Sequence, residues 1–246
     1  MKSTILLGII CLLCYYTDAI SQEQQPISLG GYAAYNLNLQ NVEFQSYPYE
    51  PSTNKQLSNY GFQVSHGLAI GARVDYSVSD VLKLNFRGGF AMQASDFLRY
   101  ESLGMVGLPD GTSAGGLSLH RFSQTTKSIT IEPGISARIL ESVPFFVSLG
   151  GKADLFLEKG YEYQEELISP SFGHFETGSR VRDVQKGIIS NVHTPFFSIY
   201  AGLETQFNIM GIRILPYVRY YLPLTSILND KSWQISTLQT GFTVML

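Results

Sequence analysis

Residues 67–92 read GLAIGARVDYSVSDVLKLNFRGGFAM, and this stretch decides the fold. Before the turn at Ser79-Asp80 the even positions are Leu68, Ile70, Ala72, Val74, Tyr76 and Val78, with Arg73 and Asp75 in the odd set. After the turn, Leu82, Leu84, Phe86, Gly88, Phe90 and Met92 alternate with Lys83, Asn85, Arg87, Gly89 and Gln93. A strand sends successive side chains to opposite faces, so this is a hairpin with one oily and one ionic face. A barrel in lipid needs that pattern, with the oily set outward.

The same period of two recurs on both sides. Ile27 to Leu39 alternates Ile27, Leu29, Ala33, Tyr35 and Leu37 with Ser28, Tyr32, Asn36 and Asn38. Ile129, Ile131, Ile135, Ala137 and Ile139 oppose Ser128, Thr130, Glu132, Ser136 and Arg138, and after Glu141-Ser142-Val143-Pro144 the set Phe145, Val147, Leu149, Ala153, Leu155 and Leu157 opposes Ser148, Lys152, Asp154 and Glu158. Phe197, Ile199, Ala201, Leu203 and Phe207 face away from Ser198, Tyr200, Glu204, Gln206 and Asn208. Past Met210-Gly211, Ile212, Ile214, Val218, Tyr220 and Leu222 oppose Arg213, Tyr217, Arg219 and Tyr221. Leu238, Thr240, Phe242, Val244 and Leu246 close the series against Gln239, Gly241, Thr243 and Met245.

The expectation is an all-β, eight-stranded antiparallel up-and-down transmembrane β-barrel. Its connections alternate strictly: tight near Ser79, Ser142 and Met210, long over Gln40 to His66, Ser95 to Gln124, Lys159 to Thr194 and Pro223 to Ser232. Short periplasmic turns, longer outside loops and an even strand number are the habit of outer-membrane barrels. Ten strands, with part of the third long loop paired in, are the alternative.

The first residues add an address. Lys2, an apolar run from Ile5 to Cys14, and small residues Ala19 and Ser21 before Gln22 read as a signal peptide over 1–21, ahead of a barrel domain over 22–246. The run is shorter than the roughly twenty residues a spanning helix needs, and no later stretch reaches about eighteen. Both cysteines, Cys11 and Cys14, fall in the leader, which removes thiol catalysis and disulfides from the expected mature chain. A net charge of -3 without a basic run argues against nucleic acid as a partner. Charged residues at 15%, with 23 glycines and 13% aromatics, suit an apolar outer band.

A barrel of eight is just wide enough to be filled by its own side chains. The enclosed set holds Arg73, Lys83, Arg87, Arg138, Lys152, Arg213 and Arg219 against Asp75, Glu132, Asp154, Glu158 and Glu204. In a narrow low-dielectric lumen such charges persist only when paired, so a salt-bridged plug is expected. Tyr76, Phe145 and Phe207 beside the tight turns, and Tyr35, Phe90, Phe197 and Tyr220 at the far ends, are candidates for two interfacial girdles. Lys127 is outward at the outside rim, where its stem can snorkel. Pro133 and Pro216 fall on the lipid-facing set and suggest bulges, while Trp233 and Ile235 break parity with the strand they begin, which leaves its register above Thr237 open.

Five segments carry a family likeness: Gly61-Phe62 leading into Gly67, Leu82-Lys83-Leu84 after Ser79-Asp80, Ile129-Thr130-Ile131-Glu132-Pro133, Pro216-Tyr217-Val218-Arg219-Tyr220, and Leu238-Gln239-Thr240-Gly241-Phe242. In these the chain resembles the OmpA-like family of small outer-membrane β-barrel domains, of the Bacteroidetes type, across nearly all of the expected mature chain. It departs from that family in ending on Leu246 where an aromatic is usual. The resemblance implies an eight-stranded barrel folded by the outer-membrane insertion machinery, with roles from envelope anchoring and adhesion to helping secretion complexes, and no chemistry assigned to named positions.

Candidate chemistry is thin. His66, His120, His174 and His193 all map to outside loops or rims, and no pair has short ligand spacing. For a lipid-modifying enzyme, Ser65-His66 and Ser190 to His193 read as the only nearby Ser and His combinations outside the leader, and adjacent residues on a strand point apart. Gly111 to Gly116 lacks the Lys and helix of a phosphate cradle and reads as a loop. Tyr47, Tyr49, Tyr60, Phe172 and Phe175 are loop aromatics suited to partner contact or to packing within hairpins. The expected function is a non-enzymatic integral barrel of the bacterial outer membrane, with no cofactor, metal or catalytic residue. Its expected partners are outer-membrane lipid and lipopolysaccharide, the insertion machinery, and an envelope or surface protein. A narrow solute channel and a lipid-modifying enzyme are the alternatives, and a soluble binding barrel would need the opposite polarity.

Overall fold

The computed structural model describes residues 26–43, 61–108, 111–140, 143–175, 177–189, 192–209, 211–228 and 232–246. The expected leader over 1–21, both cysteines, Tyr47, Tyr49, Tyr60, Ser190 and Met210 lie outside the described residues. The strands are β1 (Ile27–Glu43), β2 (Gly61–Ser77), β3 (Leu82–Gly107), β4 (Ser113–Arg138), β5 (Phe145–Ser169), β6 (Val181–Ile188), β7 (Phe196–Thr205), β8 (Phe207–Ile209), β9 (Ile212–Pro223) and β10 (Ser232–Met245).

Eight of these positions close a ring. The order β10-β1-β2-β3-β4-β5-β7-β9 returns to β10, every neighbour antiparallel, and β8 continues β7 after an interruption at Gln206. β6 pairs only with β5, outside the ring, so the third long connection adds a strand but does not widen the barrel. Register partners followed once round, Ser28, Asp75, Asn85, Gly134, Gly150, Tyr200, Tyr221 and Thr237, lead back to Asn38, a stagger of ten residues. Stagger of this kind accompanies strands tilted by about 35–45° in a closed sheet.

The alternation sorts as lipid demands. Leu68 is 57% exposed and Ile70 60%, whereas Arg73 and Arg87 beside them in the wall are 0% exposed. Outward Tyr76, Tyr35, Phe90, Phe197 and Tyr220 are exposed, at the ends where girdles belong. Replacing Ile70 by arginine is therefore expected to destabilise the folded barrel by about 2–4 kcal/mol in a bilayer. Urea unfolding in lipid vesicles measures it, and an Ile70→Arg protein as stable as the parent would mean that this face does not meet hydrocarbon.

Inward glycines make room for two tyrosines. A Cβ on Gly71 would sit 2.7 Å from Tyr32 Cε1, and one on Gly150 2.6 Å from Tyr200 Cε1, so each ring lies flat across a wall that has no side chain there. Such close approach is what glycine within a strand permits.

Several expectations are corrected. Neither proline makes a bulge: the β4–β5 register is the same at Ile131↔Ala153 and Gly134↔Gly150, and that beside Pro216 is the same at Glu204↔Tyr217 and Phe207↔Ile214. A missing N–H removes one rung without displacing a residue. The shifts fall elsewhere, at Tyr163/Glu165, Ser102/Gly104, Leu117/Ser118 and Lys127/Ser128. The last of these turns Glu158 outward, where it pairs with Lys127 on the outer wall rather than joining the lumen. Trp233 and Ile235 keep the register of β10 without interruption and point inward, 1% and 4% exposed. Most of the expected loop Ser95 to Gln124 is strand: β3 and β4 run on as a paired arm, and Gly111, with φ +81°, turns its tip.

Candidate functional site

From the tight-turn end upward the lumen has three layers, followed by the arm outside. The lowest layer is ionic. Arg73 on β2 meets both oxygens of Glu204 on β7, at 2.8 and 2.9 Å, and its Nε donates to Asp75 at 2.6 Å. Arg219 on β9 lies 3.2 Å from Glu132 and 3.8 Å from Glu204. The hydroxyl of Tyr221 donates to Glu132 at 3.0 Å. The shared carboxylates tie β2, β4, β7 and β9 across the bore, because their backbones are held at fixed stagger and only long side chains can span the gap.

Two of the enclosed cations are not held by carboxylates. The Arg87 guanidinium lies 3.9 Å from the ring centre of Tyr217 and 5.0 Å from that of Tyr32, and donates to Thr243 at 3.3 Å. Lys83 sits 4.2 Å over the ring of Phe146 and donates to Gln206 at 3.2 Å. A guanidinium over a tyrosine face gains quadrupole attraction that grows with desolvation. The plug is thus part salt bridge and part cation–π stack. Arg213 and Arg138 are half-buried at the tight-turn rim, the first donating to Ser28 at 2.6 Å and the second to the carbonyl of Leu140 at 3.1 Å.

The second layer is a small chamber of about 30 Å³, bordered by Asn36, Asn38, Lys152, Asp154, Tyr221 and Thr237 among others. Lys152 and Asp154 pair across 3.1 Å, and Thr237 donates to Asn38 at 2.7 Å. That volume accommodates a water or two, not a solute.

The third layer is apolar. Phe97, Phe122, Ile189, Phe196, Ile227, Leu228, Trp233 and Ile235 form one buried cluster over the bore, with Phe156, Tyr161, Tyr163 and Val192 packed against it. Trp233 meets Phe97 edge-on at 5.9 Å and its indole N–H donates to Gln40 at 3.0 Å. Gln40 in turn donates to Ser65 and Ser95, at 2.7 and 3.0 Å, stitching the roof to the wall. None of the roof was foreseen as such. Its signal was present in Phe97, Phe122, Trp233 and Ile235, which keep the inward parity while changing from polar to apolar.

Beyond the rim, β3, β4, β5 and β6 form a four-stranded sheet. From Met92 to Gly107 β3 covers roughly 50 Å of strand at about 3.3 Å per residue. On the inward face of β4 in this sheet His120, 3% exposed, is enclosed by partners. Its Nε2 is 3.0 Å from Glu101 and 3.3 Å from Ser118 Oγ, and its Nδ1 is 2.7 Å from the Tyr163 hydroxyl. Glu165 stands 3.9 Å away and is gripped by Arg182 through both oxygens, at 2.8 and 3.0 Å. Burial by itself would push the Glu165 carboxyl up, but the hydrogen-bonded Arg182 guanidinium and the nearby His120 hold it below the usual carboxylate range.

His120 is therefore not a solvated loop residue, and Ser118-Leu119-His120 is a Ser and His combination on one face that the sequence reading passed over. The signal was the spacing of two on a strand. It does not make a hydrolase triad: serine and carboxylate share one ring nitrogen, and Ser118 is 0% exposed. Ser65 is buried and His66 exposed on opposite faces of β2, His66 stacking on Tyr35 at 5.8 Å. His174 is exposed and His193 half-buried, and among the described residues no three His, Cys, Asp or Glu side chains converge as a metal site. Phe172 is exposed, while Phe175 lies 4.0 Å beneath the Arg182 guanidinium.

No protein-family model and no curated protein matches the chain. Among solved structures it is similar to the attachment invasion locus protein Ail of Yersinia pestis, at 13% identity over 90% of this chain and 100% of that one, TM-score 0.33. It is also similar to Neisserial surface protein A, at 9% identity over 89% and 99%, TM-score 0.37. The translocator domain of the autotransporter NalP from Neisseria meningitidis follows, at 8% over 98% and 97%, TM-score 0.29. The chain is an eight-stranded outer-membrane-type β-barrel. Its registers close on themselves, and its wall carries apolar side chains outward and ionic ones inward.

Proposed function

We propose that the protein is a non-enzymatic, integral barrel of the bacterial outer membrane, of the OmpA-like, Bacteroidetes type. In this reading its lumen conducts no solute, and its outer arm serves envelope anchoring, adhesion or contact with an envelope or surface protein. One observation carries the reading: the bore is filled by buried charge and an apolar roof, whereas β3 and β4, 26 residues each, run on past the barrel wall into a paired outer sheet. Lipid and lipopolysaccharide would contact the outward belt, and the insertion machinery would assemble it. Nothing in the charge balance favours nucleic acid.

Shortening the arm tests this. Joining Asp96 to Arg121 by a tight turn leaves the belt and the ionic layer intact. Cells carrying that version are expected to lose the neighbours that the full chain captures by cross-linking, while the barrel keeps its heat-modifiable gel shift. Unchanged capture would remove the arm from the function. Steady conductance of the full chain in a planar bilayer would favour the channel reading, and release of fatty acid from lipid substrates the enzymatic one.

A further inference from the structure

The arm carries a buried histidine that the barrel does not need. His120 lies on β4 where hairpin β3–β4 and strands β5 and β6 face one another, outside the apolar belt. Glu101 and Arg99 face it from β3, Ser118 from its own strand, Tyr163 and Glu165 from β5, and Arg182 from β6 by way of Glu165. Both protonation states of the ring have partners. When neutral, Nε2–H donates to Glu101 while Nδ1 accepts from the Tyr163 hydroxyl. With a proton taken from solvent, Nδ1–H donates to the tyrosine oxygen and the imidazolium faces Glu101 at 3.0 Å.

We propose that His120 is a proton-operated clasp, which binds the β3–β4 hairpin to β5–β6 more tightly in mildly acid medium than in neutral medium. The proposal rests on the arm lying outside the membrane but not on what the arm contacts. Imidazole is the side chain whose ordinary titration falls between about pH 5 and 8. Glu165, held below the usual carboxylate range by Arg182, keeps its charge throughout that window. Protonation turns the His120–Glu101 hydrogen bond into an ion pair, so the extra hold is full below the ordinary imidazole titration and is lost as pH rises through that of the folded state. Of the two carboxylates beside the ring, Glu101 is the nearer at 3.0 Å, and Glu165 at 3.9 Å is already gripped by Arg182.

Hydrogen exchange of the full chain in lipid nanodiscs reads this directly. After correction for intrinsic exchange, amides of residues 97–105 and 114–121 are expected to be about fivefold more protected at pH 5.5 than at pH 8, the scale of one partly buried ion pair. Amides of β1 and β2 serve as the unchanged reference. His120→Gln keeps the neutral hydrogen bonds and is expected to show the pH 8 protection at both pH values. Glu101→Gln is expected to reduce the difference at least twofold, which covers the case of a His120→Gln protein that fails to insert. Equal protection of the parent chain at the two pH values, or an undiminished difference in His120→Gln, overturns the clasp. Loss of partner capture on shortening the arm is a separate result and would leave it standing.

Discussion

Glu204→Ala is expected to destabilise the folded barrel by about 3–5 kcal/mol, because it strands a buried guanidinium without its bidentate partner. Arg73 and Glu204 are both fully enclosed, and Arg219 leans on the same carboxylate from 3.8 Å. Asp75 remains beside Arg73 Nε, but the two terminal nitrogens would lose the acceptors they now reach at 2.8 and 2.9 Å. Urea titration of the protein in lipid vesicles, followed by its gel shift, gives the loss. The pair Arg73→Met with Glu204→Leu is expected to lose much less than the single change, since no charge is then left alone in the bore. A single change costing under about 1 kcal/mol would mean that water reaches this layer and that the plug is not closed.

Trp233→Ala should have an effect of similar size for a different reason. The indole is 1% exposed, is met edge-on by Phe97, and holds Gln40 through its N–H. Truncation leaves a large cavity in the roof, for which about 3–5 kcal/mol is the usual cost. Trp233→Phe keeps much of the packing but leaves the Gln40 oxygen without that donor, at about 1–3 kcal/mol. Neither change is expected to open an ion path in a planar bilayer, because the ionic layer closes the bore independently. Steady current through the alanine variant would place the only seal in the roof.

Where alternation is sustained, the chain's architecture is legible residue by residue. Leu68, Ile70 and Phe86 had to face hydrocarbon once Arg73 and Arg87 were assigned to the other face, since period two leaves no third direction. That reasoning weakens past the rim. Above Met92 the outward side no longer meets hydrocarbon and the inward side turns oily, so the polarity that marks a lipid-facing strand is lost although the strand continues. Trp233 and Ile235 looked like exceptions for that reason, and Phe97 and Phe122 fell in the stretch Ser95 to Gln124 that reads as a loop. A single-residue bulge is invisible in composition, and the one between Lys127 and Ser128 sent Glu158 to the opposite face from the one its spacing implied.

By itself, then, the sequence determined the antiparallel order of the ring and the polarity of its two faces, which follow from side-chain period and turn spacing; eight strands against ten was decided by the closed sheet, in which β6 stays outside the ring. Only the tertiary structure decided which charges meet: Arg73 with Glu204 across 131 positions, Arg87 on tyrosine faces instead of a carboxylate, and His120 between Glu101 and Tyr163. Those choices depend on the ten-residue stagger and on how far each side chain reaches across the bore. Both belong to the whole closed sheet, and no local stretch of sequence contains them.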